Sequence, residues 1–367
     1  MPIRNAPIKK VQITPSWTFC DEQGRQLEPQ LFKLLRGVHD HGKLTAAAKE
    51  VGISYRHSWN LLNKWTDFFG APLVHLQKGK GAKLTSLGEK LLWAEQRVSA
   101  RLEPQLKNLA SELNLEIQRT LEAGSPVIRL HASHGYAVAA LPECVQGFQL
   151  DLQYMSAEDA LESLSRNQCD IAGFHLPTVH LSEALLKTYS RFIQADQHQL
   201  MRFITRQQGL IISADNAKNI SGLEDLIKPD VTFINREKGS GTRALLDELL
   251  HRADIPSGKI QGFNSEEFTH SAVAAYVAAG MADVGFGVQA AATRFGLNFI
   301  PIEKESYLLV CRKDFVDSLA MERFQAMLSG GRFASALSEL PGYSSEQSGE
   351  IVSLDDFRRL ITETKPV

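Results

Sequence analysis

Apolar residues at Leu31, Leu34, Leu35 and Val38 follow i, i+3, i+4, i+7 spacing and predict a helix that ends near His39, before Gly42. Lys43–Val51 is a second, alanine-rich helical stretch, with Thr45 as the expected N-cap and small side chains that allow a close crossing. Gly52-Ile53-Ser54 predicts a tight turn in which Gly52 takes positive φ and Ser54 caps the next helix. That helix runs to about Phe69. Tyr55, Trp59, Leu62 and Phe69, with Trp65 beside them, are expected on its core face, while Arg56, His57, Asn60, Asn63 and Lys64 point elsewhere. A strand at 72–76, a basic glycine-rich tip at 77–83 and a returning strand at 83–85 then predict a hairpin carrying Lys78, Lys80 and Lys83.

Ser86-Leu-Gly-Glu89 has the form of a capping box and opens a long helical pattern. Leu87, Leu91, Ala94 and Val98 form one stripe, and Leu102, Leu106, Leu109, Leu113 and Ile117 form another. Pro104 between them is expected to kink or restart the helix. The stripes suit pairing with a second copy or packing on the chain's own body. Gly124-Ser125-Pro126 ends the segment.

From Val127 strands alternate with helices, which predicts an open α/β architecture in two lobes around a cleft. Crossover strands are expected near Phe203–Thr205 and Tyr307–Cys311. The expected domains are 1–85, a linker helix 86–124, an α/β domain 125–350 and a tail 351–367. Within the α/β domain, Asn235–Arg243 places a glycine loop between a strand end and a helix start. Backbone N–H groups of Gly239 and Gly241, the helix dipole and the hydroxyls of Ser240 and Thr242 could converge there on an anion, beside Arg243. The loop lacks the GKS/T ending of a Walker A motif. Ser133 and Ser156 occupy comparable turns in the first lobe; for each serine taken alone plain N-capping is the favoured role, and several such turns aimed at one cleft favour a ligand.

Charge sharpens the division. Residues 1–125 hold 18 Lys and Arg against 12 Asp and Glu, a net of +6; the remainder holds 22 against 30, a net of −8. A basic head on an acidic body suits a nucleic-acid-binding module fused to something else, although ordinary solvated faces can give the same imbalance. Arg and Asn on the helix after the glycine turn have the chemistry to read guanine and adenine edges, and the hairpin lysines to meet phosphate. The helix, glycine turn, helix and basic hairpin together make a winged helix-turn-helix.

The four cysteines are scattered, with no CxxC pair, and suit a reducing compartment. No apolar run follows the basic N-terminus as in a secretory signal, and none approaches the span of a bilayer. The expectation is a cytoplasmic protein without membrane contact. No metal-spaced His/Cys cluster, nucleophile elbow or GxGxxG is present, so neither an enzyme nor a resident cofactor is expected.

Leu44–Tyr55 and Trp59, followed by Pro72–Val74 and Gly79–Gly81, resemble the N-terminal domain of ModE-type molybdate-responsive regulators, with the LysR-type winged helix a weaker match. The resemblance covers about residues 17–120. It implies a homodimer on a palindromic duplex DNA operator, with Thr45, Ser54, Tyr55, Arg56, His57, Asn60, Lys64, Lys78 and Lys80 as candidate contacts.

Ala132–His134, Asp170–Leu176, Gln208–Leu210, Asn235–Arg243, Glu267–His270, Ala282–Phe286 and Leu340–Tyr343 resemble the periplasmic molybdate-binding-like domains of the type 2 binding proteins. That resemblance implies oxyanion contacts at Ser133, Ser156, Ser240 and Thr242. His134, Gly239, Gly241, Arg243, Thr269 and Tyr307 complete the candidate ligand set. The expected effector is molybdate or tungstate. Arg206, Arg243, His134 and His270 count against a simple tetrahedral dianion, since an Arg in the cleft would suit a carboxylate or larger anion, which keeps a regulator sensing an anionic metabolite as the alternative; each of the four equally suits a structural ion pair or a satisfied core histidine.

Overall fold

The computed structural model describes residues 10–22, 24, 26–27, 30–77, 81–121, 125–177, 189 and 191–353. Lys78 and Lys80, and the tail beyond residue 353, lie outside the described residues. The chain divides into two compact units, a head at Thr14–Leu102 and a larger α/β unit, called the sensor after the role the resemblance implies, formed by the N-terminal segment through Ile13 with Glu103 onward.

In the head, α1 (Gln30–His41), α2 (Leu44–Val51) and α3 (Tyr55–Phe69) precede a hairpin of β3 (Val74–Gln77) and β4 (Gly81–Leu84). A two-stranded ribbon, β1 (Phe19–Cys20) with β2 (Gln26–Leu27), comes before them. Leu31, Leu34, Leu35 and Val38 are buried as expected, packed with Ala47, Leu61, Leu62, Trp65, Leu73 and Leu84. The close crossing of α1 and α2 is real: a Cβ at Gly37 would meet Ala47 at 2.9 Å. Gly52 adopts φ +77°, ending α2 in the left-handed conformation that disfavours any larger residue.

Three local expectations are corrected. Lys43 stands at the N-cap of α2 without a side-chain cap bond, and Thr45 is an exposed first-turn residue. Tyr55 and Trp59 do not face the core; they are 52% and 46% exposed. The buried face of α3 is Ser58, Leu61, Leu62 and Trp65, whose i, i+3, i+4, i+7 phase turns Tyr55 and Trp59 toward water. The capping residue of α4 (Ser86–Leu121) is Thr85 rather than Ser86: its hydroxyl accepts from the Gly88 N–H at 3.1 Å and donates to the Pro72 carbonyl.

Helix α4 runs unbroken through Pro104, so one lost backbone hydrogen bond is outweighed by the packing on either side of it. The division between head and sensor falls inside this helix, within the expected linker segment. Its first apolar stripe is largely used by the head, where Leu87 and Leu91 pack against the core. Of the second stripe, Leu109, Leu113 and Ile117 remain exposed.

The sensor is built on one mixed sheet of order β10-β9-β11-β8-β12-β7-β5-β6. Parallel strands β5 (Val127–Ala132), β6 (Gln149–Tyr154) and β7 (Ile171–Pro177) belong to one lobe. Parallel strands β9 (Phe233–Arg236), β10 (Glu266–Glu267) and β11 (Val284–Val288) belong to the other. The two lobes are joined by β8 (His198–Ile212) and β12 (Asn298–Arg312), antiparallel and each 15 residues long, which contain the expected crossovers. Short strands β13 (Tyr343–Ser344) and β14 (Ile351–Val352) add to β8, so the expected tail begins inside the sheet.

At the β6 edge, α4 replaces a missing strand with side chains. Asn108 accepts from the Tyr154 N–H at 2.7 Å and donates to the Tyr154 carbonyl at 3.0 Å, and Ser111 accepts from the Leu152 N–H. Those backbone groups would otherwise be unpaired at a sheet edge.

Candidate functional site

Period-2 alternation along the crossover strands puts polar side chains on one face in the middle of the sensor. Arg206 and Gln208 alternate on β8; Glu305 and Tyr307 alternate on β12; His175 stands on β7. Register pairs Arg206 with Glu305 and Tyr307 with His175. Arg206 Nε donates to Glu305 Oε2 at 2.7 Å, and Gln208 Nε2 donates to the same oxygen at 2.8 Å and to Thr242 Oγ1 at 3.1 Å. The His175 ring lies 3.9 Å, centroid to centroid, from that of Tyr307.

Helix starts close on this group. Around α5 (Tyr136–Cys144), a Cβ on its N-cap, Gly135, would come 3.5 Å from Arg206 Nη1. Around α7 (Gly241–Arg252), a Cβ on Gly241 would meet the His175 ring at 3.2 Å. At α8 (His270–Ala278) the hydroxyl of Ser271 lies 2.7 Å from that of Tyr136, a contact between the two lobes. Arg236, at the end of β9, donates to the carbonyls of Glu267 and Phe268 at 3.2 and 2.9 Å.

The electrostatics of the group follow from its burial. Arg206, Arg236, Glu305, His175 and His270 are all less than a tenth exposed. Burial alone would neutralise Glu305, but the charge of Arg206, with the hydrogen bonds of Gln208 and Arg206, holds its carboxyl below the usual range. Burial also opposes the charge on Arg206, and the Glu305 carboxylate overcomes it, raising its pKa. Arg236 has no such partner at close range, since Glu237 stands 3.9 Å away, and burial brings it down to about 10.

The histidines are neutral. Burial, then Arg206, lowers His175 to about 3; burial lowers His134 to about 4 against the pull of Glu103; burial and the two arginines hold His270 well below its ordinary value. Nε2 of His134 and Nδ1 of both His175 and His270 are buried without hydrogen-bond partners. The centre thus holds the guanidiniums of Arg206 and Arg236, the buried Glu305 carboxylate with Glu237 and Glu103 at its margin, and three neutral imidazoles with unused polar atoms.

Of the candidate ligand residues, the structure brings Thr242 and Tyr307 into this group, with the backbone carbonyl of Ser133 beside it accepting from the Tyr307 hydroxyl at 3.4 Å. His134 lies against Tyr154, and 3.9 Å from Glu103 of α4. Ser240 and Ser156 are occupied as helix caps: Ser240 accepts from Arg243 N and donates to the Glu237 carbonyl, and Ser156 accepts from Asp159 N and donates to its carboxylate. Thr269 likewise caps α8 through Ala272 N. Gly239 is exposed, with φ +90°.

Arg243 points away from this centre. Its guanidinium donates to Asp247 and Glu266 and lies 4.2 Å over the Phe263 ring, the arrangement of a structural cation. Glu305, Gln208, His175 and Arg236 were not among the candidates. The available signal was the alternation of polar residues inside otherwise apolar strands, as in Phe203–Ile212. Among the described residues no group of three or more His, Cys, Asp or Glu could hold a metal, and no helix is long and apolar enough to cross a membrane.

In the head, Ser54 caps α3 by accepting from the His57 N–H at 3.1 Å. Tyr55, Arg56, His57, Trp59, Asn60, Asn63 and Lys64 stand exposed on the helix, opposite its buried face. This is a continuous polar and aromatic surface on the second helix of a helix-turn-helix.

Comparison with known proteins extends this picture. Residues 138–329 match the family described as the PBP superfamily domain, and residues 29–89 match the bacterial regulatory helix-turn-helix proteins of the lysR family. The uncharacterized protein YvgK of Bacillus subtilis (strain 168) is 30% identical over 200 residues, 54% of this chain and 64% of YvgK. The chain thus spans less than two thirds of that relative's length. An uncharacterized protein from the region 5′ of a 2Fe-2S ferredoxin gene in Clostridium pasteurianum is 33% identical over 110 residues, 30% of this chain and 97% of its own. The molybdenum-pterin-binding protein MopB of Rhodobacter capsulatus is 30% identical over 121 residues, 32% of this chain and 44% of MopB.

Proposed function

We propose a function from one premise: the chain belongs to the PBP superfamily, whose domain takes up more than half of it, and it carries a lysR-family regulatory helix-turn-helix. On that premise it is a one-component transcription regulator whose head binds operator DNA and whose sensor binds a small anion between its lobes. The observation that carries the sensor half is the buried centre itself. Arg206 is paired with the buried Glu305, Arg236 has only the more exposed Glu237 at 3.9 Å, and three neutral imidazoles present unpartnered ring nitrogens. A buried polar atom left unpaired costs about 1–3 kcal/mol, so a ligand rich in hydrogen-bond acceptors and negative charge is what this centre favours.

Molybdate or tungstate is the finer reading. It draws support from the molybdenum-related relative and from a donor set composed mainly of neutral groups. A carboxylate is the second reading, favoured by the Arg206 guanidinium, whose planar fork suits a bidentate carboxylate. The exposed Leu109, Leu113 and Ile117 of α4 support a homodimer, and charged residues at Leu109 and Leu113 together should give monomers in sedimentation.

Calorimetric titration of the full chain with molybdate, tungstate, sulfate and a panel of small carboxylates tests the sensor. Tighter binding of a carboxylate than of either metal oxyanion would replace the finer reading, and no binding of any anion would remove the sensor assignment. The DNA-binding half is tested by selecting duplexes from a random pool. An inverted repeat whose affinity changes with the bound anion is the expected result.

A further inference from the structure

We propose that Tyr55 and Trp59 of α3 read the C5-methyl groups of thymine in the major groove, beside Arg56 and Asn60, which read hydrogen-bonding base edges; the inference rests on the head being a DNA-binding module. The two aromatics lie one turn apart at i and i+4 and keep 52% and 46% of their surface in water. They do not serve the core, because Ser58, Leu61, Leu62 and Trp65 fill the buried face. They are also at the start of the helix, directly after the Ser54 cap, and N-terminal residues of a recognition helix are those that reach base edges.

The chemistry selects the occupant. Arg56, Asn60, Asn63 and Lys64 are exposed on the same helix, so a polyanionic partner with hydrogen-bonding edges is complementary to most of this surface. Two large apolar side chains among them need an apolar feature on that partner. In the major groove the thymine methyl supplies it, since the other base edges present only donors and acceptors. Tyr55 and Trp59 therefore bias the operator toward thymine at the positions they cover, with no hydrogen bond involved.

The test uses full-length protein and a duplex enriched from a random pool. Each thymine of the enriched site is replaced singly by deoxyuridine, which removes the methyl and keeps every hydrogen-bonding group. Binding by the wild type should weaken about fourfold at one or two thymines per half-site, the worth of one buried methyl. Trp59→Ala and Trp59→Gln should bind the enriched site more weakly and lose the difference between thymine and deoxyuridine at those positions. Tyr55→Ala should do the same at a neighbouring position. Neither side chain belongs to the head's apolar core, so the variants should stay folded and unfold within a few degrees of the wild type. A flat deoxyuridine series, or full methyl sensitivity in Trp59→Ala, overturns the methyl reading alone. Failure to enrich any sequence overturns the DNA-binding reading beneath it.

Discussion

On α3 the side chains that would meet a ligand are exposed and lie outside the head's core, whereas in the sensor Arg206, Glu305 and His175, on the sheet, and His270, at the start of α8, are nearly fully buried. The head therefore rests on an apolar core that its binding surface does not share. The sensor has no such separation, because the groups offered to a ligand are also partners of one another. Binding and stability should be independent in the first region and inseparable in the second.

The largest expected effect tests that inseparability. Arg206→Ala leaves Glu305 buried without its main partner and should destabilise the sensor by about 3–5 kcal/mol, besides abolishing anion binding. Two unfolding transitions in calorimetry, with only one lowered, are the expected outcome; equal stability of wild type and variant would break the comparison.

Acid pH is the next lever. His134 and His175 have folded pKa values of about 4 and about 3, and His270 is also depressed, all below the ordinary 6.5. The unfolded chain then binds protons that the folded sensor refuses. Sensor stability is fully present above pH 6.5 and is lost as pH falls from there toward 3–4, by up to about 1.4 kcal/mol per pH unit for each imidazole. Glu305, whose folded pKa is lowered, adds a loss in the same direction below about 4.5. Urea unfolding between pH 7 and 5 should show this slope, and His175→Gln should flatten it.

Substitutions on the head should be smaller and of a different kind. Arg56→Ala and Asn60→Ala should each weaken operator binding by about 1–3 kcal/mol and leave unfolding unchanged. A comparable loss of head stability would erase the contrast between the two regions.

The smallest effect sharpens the comparison within the sensor. Ser240→Ala removes a helix cap and should cost about 1 kcal/mol of stability, with anion affinity little changed. Ser54→Ala should cost a similar amount in the head. A hundredfold loss of anion affinity in Ser240→Ala would restore the glycine loop as the principal contact.

Helices and caps were legible in the sequence because their hydrogen bonds close within four residues. Ser54, Ser156 and Ser240 each accept from the N–H three positions on, as their local patterns foretold, whereas the caps of α2 and α4 fall on Lys43 and Thr85 rather than on Thr45 and Ser86. The two-lobed α/β sensor followed from the alternation of strands and helices, and the head from its apolar periodicity and glycine turn. Local pattern could not say which caps face a ligand, nor that Arg243 would turn to Asp247 and Phe263. It also mistook the phase of α3, since aromatic residues lie on both sides of that helix and only packing against α1 and α2 selects Leu61, Leu62 and Trp65 for the core. Arg206 and Glu305 are 99 residues apart, and nothing near either foretells the other. Their meeting is decided by the register of β8 against β12, which the packing of both lobes sets and which no short stretch of sequence contains.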